Sequence, residues 1–341
     1  MTIKMLVFDY RDSEKNFFGT HELENFEITF YNDSLTEETI KFLPEELLDS
    51  TSVISVFVNS QVTKNVIKAF KNLRIISTRS TGIDHIDKSS AEEKNISVIN
   101  VEAYGTKSVA QFTIGLILTL VRNIIPASRF FLDGNIDCRD FIGRDLSELT
   151  LGIVGTGNIG FAVYKVAKAF GMKVLAYDLV QRQELKTNGH DIEYVDFNTL
   201  LKRSDIITLH LPYTGDNYHM FSAGQFKLMK KTAYLINASR GELVCMKDLY
   251  DAVSEGIIKG AALDVVTCED VSFRCENFAK MVNNNLKCVE ETKMLRDLAK
   301  LDNVIITPHI AYDTKDAIDY ILNQTFIAIS DIVKGGNSYR I

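Results

Sequence analysis

Residues 151–160 read LGIVGTGNIG, and they decide the fold class of this 341-residue chain. An apolar strand pattern runs directly into GTGNIG (155–160), and the helix pattern FAVYKVAKAFG follows at once. In a strand–GxGxxG–helix unit, Gly155 permits the tight turn, Gly157 lets the backbone approach a pyrophosphate, and Gly160 lets the helix pack against the strand. The free N–H groups at the start of that helix attract the anion. The stretch predicts a dinucleotide-binding βαβ unit, and a glycine turn without a ligand is the structural alternative.

An acidic residue further along the chain indicates which dinucleotide binds. The next strand pattern, KVLAYD (173–178), ends at Asp178, 18 positions beyond Gly160, where an acid for the adenosine ribose is expected at about 20. A carboxylate there accepts hydrogen bonds from both ribose hydroxyls. It also repels a 2′-phosphate, since unit charges ~4 Å apart interact by roughly 4 kcal/mol at an effective dielectric of ~20. We predict NAD rather than NADP, while Arg182 either weakens this preference or is a solvated surface residue.

The rest of the chain alternates apolar runs with amphipathic stretches, a pattern typical of parallel sheets flanked by helices. Strand patterns of a first α/β unit lie at 3–9, 52–58, 74–79 and 96–100. A second series, of six or seven strands, begins at Leu149 and lies at 149–156, 173–178, 192–195, 205–212, 233–239, 260–266 and 303–309. Helix patterns lie at 35–47, 63–73, 108–125 and 315–334, and a loop is expected around 283–285. Nearly continuous apolar strands predict a doubly wound sheet that is buried on both faces.

Composition excludes several classes of protein. Hydrophobic residues make up 46% of the chain and charged residues 24%, which is typical of a globular protein and not of a disordered one. A net charge of −7 makes a nucleic-acid partner unexpected, because phosphate backbones are bound by clustered Lys and Arg. The first residues, MTIKMLVFDY, lack the apolar core of a signal peptide, and no apolar run is long enough for a membrane span.

The cysteine pattern adds a prediction about compartment and metals. Five cysteines without a CxxC pair argue against a disulfide framework or a zinc site, and packing is the expected role of Cys268. We therefore expect a cytoplasmic protein without a metal site.

Three ionisable residues follow strand patterns of the second series. Arg240 comes after AYLINAS, Glu269 after GAALDVV, and His309 ends NVIITPH. The carboxyl ends of parallel strands share one edge of the sheet, where ligands bind. A guanidinium can hold a carboxylate by two hydrogen bonds, an imidazole can protonate a ketone oxygen, and a carboxylate can orient that imidazole and favour its protonated form. Together they predict hydride transfer to a 2-keto acid, although each residue alone has an ordinary structural alternative.

Six ordered stretches resemble the D-isomer-specific 2-hydroxyacid dehydrogenase family. They are STRSTGIDHID (77–87), LGIVGTGNIG (151–160), SDIITLHLP (204–212), LINASRGELV (235–244), GAALDVVTCE (260–269) and NVIITPHIAY (303–312). Glu269 and His309 are about 40 residues apart. This spacing resembles that of the D-lactate dehydrogenase and vancomycin-resistance-type D-lactate-forming branch of the family. The resemblance implies an NAD-dependent enzyme that reduces a small 2-keto acid, pyruvate or a short homologue, to the D-2-hydroxy acid.

The resemblance also implies the domain organisation and the site residues. The fold would be α/β with two doubly wound parallel-sheet domains: a flavodoxin-like discontinuous substrate domain of 1–103 and 312–341, and a Rossmann-type NAD domain of 104–311. Arg240, Glu269 and His309 would be catalytic, with His309 as the acid/base. The substrate would contact Thr81, Gly82 and Tyr104. NAD would contact Gly155, Gly157, Asn158, Ile159, Gly160, Asp178, Leu211, Pro212, Asn217, Ala238 and Asp264.

Departures from the family pattern and alternative functions remain open. Where this chain has Gln111, Glu102 and Cys268, family members commonly have Glu, Pro and Gly. Gln111 lacks the charge of the usual Glu, which affects the contacts of the expected homodimer. His210 is expected to be structural, and His85 lies in the loop expected to bind the substrate carboxylate.

One alternative is a phosphoglycerate-type dehydrogenase, although VFVNSQVT (56–63) offers no cation for a phosphate. The other is an NAD-binding interaction protein without catalysis.

Overall fold

The computed structural model describes residues 2–20, 25–102, 104–134, 141–185, 191–269, 272 and 286–337. The chain divides into two compact units. Unit 1 comprises Met1–Tyr104 and Asp313–Ile341, and unit 2 comprises Gly105–Tyr312. These bounds differ by one residue from those expected from the sequence. The loop expected around 283–285 lies outside the described residues.

Unit 1 is built on a five-stranded parallel sheet with the order β2-β1-β3-β4-β5, the flavodoxin-like order. Its strands are β1 (Ile3–Val7), β2 (Phe26–Phe30), β3 (Val53–Val56), β4 (Ile75–Thr78) and β5 (Ser97–Ile99). The four strand patterns of the sequence coincide with β1, β3, β4 and β5. The sequence did not predict β2, because this edge strand has no fully buried residue and therefore no continuous apolar run.

Unit 2 is built on a seven-stranded parallel sheet with the order β12-β11-β10-β9-β6-β7-β8. Its strands are β6 (Thr150–Val154), β7 (Lys173–Tyr177), β8 (Glu193–Tyr194), β9 (Ile206–Leu209), β10 (Tyr234–Asn237), β11 (Gly260–Leu263) and β12 (Val304–Ile306). All seven predicted strands are present. Buried apolar clusters cover both faces of this sheet, as its apolar strands predict. The fold class is therefore confirmed as α/β with two doubly wound parallel sheets.

Helices connect the strands. The helices of the described residues are, in chain order, α1 (Lys15–Thr20), α2 (Glu45–Ser50), α3 (Lys64–Ala69), α4 (Lys88–Glu93), α5 (Thr106–Val121), α6 (Ile124–Leu132), α7 (Asn158–Ala169), α8 (Phe197–Arg203), α9 (Ala223–Leu228), α10 (Met246–Ser254), α11 (Leu286–Leu298) and α12 (Lys315–Val333). The predicted helix at 35–47 is wrong. A 3-10 turn, Thr39–Phe42, ends before Leu43, which is extended because it precedes Pro44, and α2 begins after this proline.

The apolar stretch at 108–125 forms a core helix of unit 2, but it is shorter than predicted. α5 ends at Val121, Asn123 adopts a left-handed conformation with φ 52°, and α6 begins at Ile124. Ile117 and Leu120 of α5 are buried in the core together with the apolar face of α7. In the described part of the chain no single helix meets the length and hydropathy of a membrane span. α5 and α6 meet them only as a pair, and that pair is bent by 60°.

Candidate active site

The glycine turn lies between β6 and α7, and each glycine has a distinct environment. Gly155 has φ +95°, and a Cβ there would lie 2.6 Å from the carbonyl oxygen of His210. A Cβ on Gly160 would lie 2.0 Å from the carbonyl oxygen of Gly155, so only glycine allows α7 to approach this closely. A Cβ added at Gly157 would have no neighbouring atom within 4 Å. This open space at the start of α7 fits a pyrophosphate against the backbone.

The turn lies where the strand order of unit 2 reverses. β6 pairs with β7 on one side and with β9 on the other, so the chain runs outward from β6 in both directions. Open α/β sheets bind ligands outside the carboxyl ends of the strands at such a reversal. His210 and Leu211 follow β9, and both contact the position of a Cβ on Gly155. The glycine turn and the end of β9 therefore form one crevice wall.

Asp178 follows β7 and lies beside the glycine turn. Its Oδ2 accepts hydrogen bonds from the backbone N–H of Thr156 (2.6 Å) and from Thr156 Oγ1 (3.0 Å), and its Oδ1 accepts from the backbone N–H of Val180 (3.1 Å). Tyr194 Oη donates to Thr156 Oγ1 at 2.9 Å. These bonds hold the carboxylate at the edge of the crevice. Thr156 and Tyr194 are functional neighbours that the sequence did not predict.

Arg182 is not the freely solvated residue considered above. Its Nε donates to Glu184 Oε2 at 2.6 Å, its Nη1 donates to Asn158 Oδ1 at 3.3 Å, and its guanidinium lies 4.6 Å from the centre of the Phe161 ring. A guanidinium paired with a carboxylate is a weaker attractor for a further phosphate. The Glu184 pair thus removes much of the reason to expect Arg182 to favour NADP.

The other predicted cofactor residues lie at strand ends of unit 2. Asn158 and Ile159 begin α7, Leu211 and Pro212 follow β9, and Ala238 follows β10. Asn217 uses its amide to shape the turn after β9, because its Nδ2 donates to the carbonyl of Pro212 (2.8 Å) and its Oδ1 accepts from Thr214 N–H (3.0 Å).

His210 has the structural role expected from the sequence. Burial lowers the pKa of His210 to about 3, so the ring is neutral, and Nε2 lies 3.0 Å from Thr208 Oγ1.

Backbone hydrogen bonds link the ends of β10, β11 and β12. The N–H of Asp264 donates to the carbonyl of Asn237, and the N–H of His309 donates to the carbonyl of Asp264, each at 2.8 Å. Arg240 and His309 each lie three residues beyond the last residue of their strand, and Glu269 lies six residues beyond Leu263. The three residues therefore follow neighbouring strands at one edge of the sheet.

Glu269 and His309 are in direct contact. Nδ1 of His309 lies 2.8 Å from Oε2 of Glu269, and both side chains are about one-quarter exposed, at 27% and 25%. Glu269 Oε1 also accepts from the backbone N–H of Val266 at 3.4 Å. His309 itself has a left-handed backbone with φ 56°, a strained conformation of the kind found at functional sites. The carboxylate therefore fixes one nitrogen of the ring and leaves the Nε2 edge to face elsewhere.

Arg240 lies on a segment that contacts the segment of Glu269. Gly241 packs directly on the backbone of Val266 and Thr267, since a Cβ on Gly241 would lie 2.1 Å from the carbonyl carbon of Val266. The backbone carbonyl of Arg240 accepts a hydrogen bond from Asn237 Nδ2 at 2.8 Å. Nη1 of the Arg240 side chain donates to the carbonyl of Ser239, also at 2.8 Å. Arg240 is half-buried and follows β10, the neighbour of the strand that precedes Glu269.

Asp264 is the buried anchor of the His309 loop. Its side chain is fully buried, and its carboxylate accepts hydrogen bonds from Thr307 Oγ1 (2.6 Å), Ile310 N–H (3.0 Å) and Ala311 N–H (2.9 Å). The sequence predicted a nicotinamide contact for this residue. Its role in holding the loop on both sides of His309 was missed, because the donors lie more than 40 positions away in the chain.

The predicted substrate residues of unit 1 lie after β4 and at the end of the first segment. Thr81 is exposed, and its Oγ1 donates to the carbonyl of Val101 at 3.0 Å, while Gly82 accepts from Ser80 Oγ at 2.7 Å. Tyr104, which is half-buried, is the last residue of that segment. In the same loop, His85 Nε2 lies 3.1 Å from Thr78 Oγ1.

Arg79, in the same STRSTG stretch, is a residue whose role the sequence did not reveal. It is 2% exposed. Its Nε donates to Glu14 Oε1 (3.1 Å) and its Nη2 to the carbonyl of Phe8 (2.7 Å). A buried, paired guanidinium thus fixes this loop to the end of β1.

A disulfide joins Cys268 to Cys288, 20 positions apart. This corrects the expectation that Cys268 is a packing residue and that the cysteines do not pair. The sequence could not reveal the pairing, because nothing in the spacing shows that α11 returns beside Glu269. Cys245 is a free cysteine among the described residues, and Cys138 and Cys275 lie outside them.

Comparisons with known proteins identify the family. The family model of the D-isomer-specific 2-hydroxyacid dehydrogenase NAD-binding domain matches residues 114–311. The D-specific alpha-keto acid dehydrogenase of Enterococcus faecium is 37% identical over 299 residues, covering 87% of this chain and 86% of that protein. The aromatic 2-oxoacid reductase of Clostridium sporogenes is 34% identical over 281 residues, covering 82% of each.

A solved structure gives the same result over nearly the whole chain. The crystal structure of a D-lactate dehydrogenase from Aquifex aeolicus, complexed with NAD and lactic acid, matches with a TM-score of 0.85 and 35% identity, covering 97% of this chain and 96% of that one. The chain therefore belongs to the D-isomer-specific 2-hydroxyacid dehydrogenase family, and it is an oxidoreductase with an NAD-binding domain.

Proposed function

We propose that this enzyme reduces a small 2-keto acid, pyruvate or a short homologue, to the D-2-hydroxy acid. The observation that carries the proposal is the 2.8 Å contact between His309 Nδ1 and Glu269 Oε2. This contact supports the proposal because it orients an imidazole that follows β12, a strand of the same sheet as the glycine turn. An acid/base group and a hydride donor at one sheet edge are the two requirements of carbonyl reduction.

The bound reduced cofactor supplies the hydride to the keto carbon. Nε2 of His309 gives a proton to the ketone oxygen, so that the carbonyl becomes a hydroxyl with no net change in charge on the substrate. Glu269 keeps the ring in one orientation through Nδ1 and stabilises its positive form. Arg240 binds the substrate carboxylate and polarises the carbonyl, a task for which a planar guanidinium is suited.

Thr81, Gly82 and Tyr104 are the proposed substrate-binding residues of unit 1. The backbone amides near Thr81 and Gly82 are suited to binding a carboxylate. The remaining cofactor residues act as the sequence suggests: Asp178 on the ribose, Asn158 and Ile159 at the pyrophosphate, Leu211, Pro212 and Asn217 along the adenosine, and Ala238 and Asp264 at the nicotinamide.

A panel of keto acids tests the proposal. NADH oxidation is measured with pyruvate, 2-ketobutyrate, phenylpyruvate and phosphohydroxypyruvate, and the products are resolved by chiral chromatography. We expect the highest kcat/KM with pyruvate or 2-ketobutyrate and D products throughout. Turnover of none of the four, or an L product, contradicts the proposal. A preference for phosphohydroxypyruvate supports the phosphoglycerate-type alternative instead.

We also propose that the protein acts in the cytoplasm as a homodimer. α6 exposes Phe131 and Leu132 by 70% and 78%, and such adjacent apolar side chains favour burial against another surface. Light scattering after size exclusion should give twice the chain mass of 38.4 kDa. A mass of one chain at micromolar concentration contradicts the dimer, and recovery of the protein outside the cytoplasmic fraction contradicts the compartment.

A further inference from the structure

Three links join the segment that carries Glu269 to helix α11. We call residues 266–269 and 272 the Glu269 segment. Cys268 forms the disulfide with Cys288, Thr267 Oγ1 donates a short hydrogen bond to Glu291 Oε2, and Ser272 Oγ lies 3.0 Å from Thr292 Oγ1. Positions 288, 291 and 292 are spaced i, i+3 and i+4, so they share one face of the helix. One face of α11 therefore holds the segment at three points, and one of these is covalent.

Helix α11 is a firm support for these links. Leu295 and Leu298 are 4% and 0% exposed and belong to the core of unit 2, and Thr292 is fully buried. At the start of the helix, Lys287 Nζ donates to Tyr218 Oη at 3.0 Å and lies 3.7 Å from Glu291 Oε1. Displacement of the helix would disrupt the core, whereas residues 267–269 are only half-buried, so this part of the Glu269 segment is the part that can move.

The placement of Glu269 depends on its backbone. Besides His309, its carboxylate has a long 3.4 Å hydrogen bond to Val266 N–H, which belongs to the same segment. The preceding residue, Cys268, has a left-handed backbone with φ 56°, which L side chains rarely adopt. This conformation persists only when the surroundings impose it. The disulfide lies at that residue, directly beside the carboxylate that orients His309.

We propose that the Cys268–Cys288 disulfide is a redox-controlled positioning element for Glu269, and the proposal rests on the proposed function of the Glu269–His309 pair. In the disulfide form the carboxylate is held against Nδ1 of His309 and turnover is high. In the dithiol form the segment loses its covalent link to α11 while its hydrogen bonds to the helix remain, and Glu269 orients the imidazole less well. Both cysteines act on the reaction through the position of Glu269, so they are positioning residues.

The switch is ordinary thiol–disulfide exchange with a dithiol as reductant. One thiolate of the dithiol attacks a sulfur of the cystine, the S–S bond breaks, and the released thiolate takes a proton. The second thiol of the reductant displaces the other cysteine. The protein gains two electrons and two protons and has two thiols, and the reductant becomes a cyclic disulfide. A disulfide oxidant reverses the exchange.

Kinetics of both redox forms test the proposal. The full-length enzyme is prepared with dithiothreitol or with oxidised glutathione, and alkylation with peptide mass spectrometry establishes the state of Cys268 and Cys288. We expect reduction to lower kcat for the best keto acid about 3- to 30-fold, since a misplacement of 1 Å can cost about 100-fold. The Kd for NADH should change less than twofold, and KM for the keto acid should change little, because the lost interaction acts in the transition state.

Matched variants separate the proposed role from general effects. Cys268→Ser with Cys288→Ser should have the kcat of the reduced enzyme and no response to dithiothreitol. A second variant, in which Cys138, Cys245 and Cys275 are all changed to Ser, should keep the full response. Glu291→Gln retains an oxygen that accepts from Thr267 and should keep most of kcat in the reduced enzyme, whereas Glu291→Ala should lose a further several-fold.

Two outcomes overturn the proposal. One is equal kcat in the oxidised and reduced enzyme, and the other is a Cys268→Ser, Cys288→Ser variant that matches the oxidised wild type. Glu269→Gln distinguishes these from a failure of the proposed function. If this variant loses turnover while the redox forms are equal, only the positioning role of the disulfide is wrong. If it keeps full turnover, the function assigned to the Glu269–His309 pair is wrong.

Discussion

The two halves of the unit 2 sheet, on either side of the β6–β9 pair, are held in different ways. On the side of β6 and β7, the three glycines that define the turn lie within six positions of one another, and Gly155 and Gly160 stand where a Cβ would clash with neighbouring backbone. On the side of β10, β11 and β12, Asn237, Asp264 and His309 are linked across three strand ends by hydrogen bonds between residues 27 to 45 positions apart. A short sequence motif therefore predicts the cofactor side of the sheet. The catalytic side forms only when β10, β11 and β12 have paired.

The largest effect is expected at His309. His309→Gln keeps a side chain that can hydrogen-bond but cannot transfer a proton at neutral pH. We expect kcat for keto-acid reduction to fall about 10²- to 10⁴-fold. NADH affinity, measured by fluorescence titration, should stay within twofold, because the cofactor side of the sheet is unaffected. Unchanged turnover contradicts the acid/base role and favours a binding protein without catalysis.

The second largest effect is expected for Asp264, the buried residue that anchors the His309 loop. Asp264→Ala leaves two backbone N–H groups and the Thr307 hydroxyl without an acceptor, so unfolding free energy should fall by roughly 2–4 kcal/mol. Because the same loop carries His309, kcat should also fall. Urea unfolding and steady-state kinetics on the folded variant measure both. Asp205→Ala, at a half-buried pair with Lys230 in the same unit, is the control and should cost less stability and no kcat.

Two glycines of the cofactor side make a matched pair. Gly160→Ala places a Cβ 2.0 Å from a backbone oxygen and should destabilise the fold by about 1–3 kcal/mol. Gly157→Ala has open space and should leave the unfolding midpoint unchanged, while NADH affinity falls because the methyl occupies the space assigned to the pyrophosphate. Equal NADH affinity in Gly157→Ala and wild type contradicts this assignment.

The stability of unit 2 should depend on pH through His210. Because burial lowers its pKa to about 3, the folded state keeps the ring neutral while the unfolded state protonates near its ordinary value. The unfolded state then binds more protons, so stability is lost as pH falls. Between pH 7 and 5 this residue should account for about 2 kcal/mol. His210→Gln should lose correspondingly less over that range in urea titrations, and equal losses contradict the assignment.

The last effect concerns cofactor choice at Asp178. Asp178→Ala removes the carboxylate that repels a 2′-phosphate, so the NAD to NADP ratio of kcat/KM should fall about 10- to 100-fold. Glu184→Gln frees the guanidinium of Arg182 and should lower the same ratio by a few-fold, mainly through KM for NADPH. A ratio that Asp178→Ala leaves unchanged contradicts the ribose assignment.

Much of the fold was predictable because parallel strands buried on both faces leave continuous apolar runs. All seven strands of unit 2 were predicted in this way, and β2 was missed because an edge strand carries no such run. The helix pattern at 35–47 failed at Pro44, where a local steric rule overrides apolar spacing. In the site, residue types at strand ends predicted Arg240, Glu269 and His309 and the pairing of the last two, but not the Asp264 anchor or the disulfide.

The amino-acid sequence by itself determined the class of fold, the glycine turn and the residues that follow each strand, because these depend on short-range periodicity and on the backbone freedom of glycine. Tertiary structure alone decided that Asp264 anchors the His309 loop and that Cys268 bonds to Cys288 beside Glu269. Side-chain distances of a few ångströms follow from how strands and helices pack. Residues 20 to 45 positions apart carry no signal of that packing in their spacing.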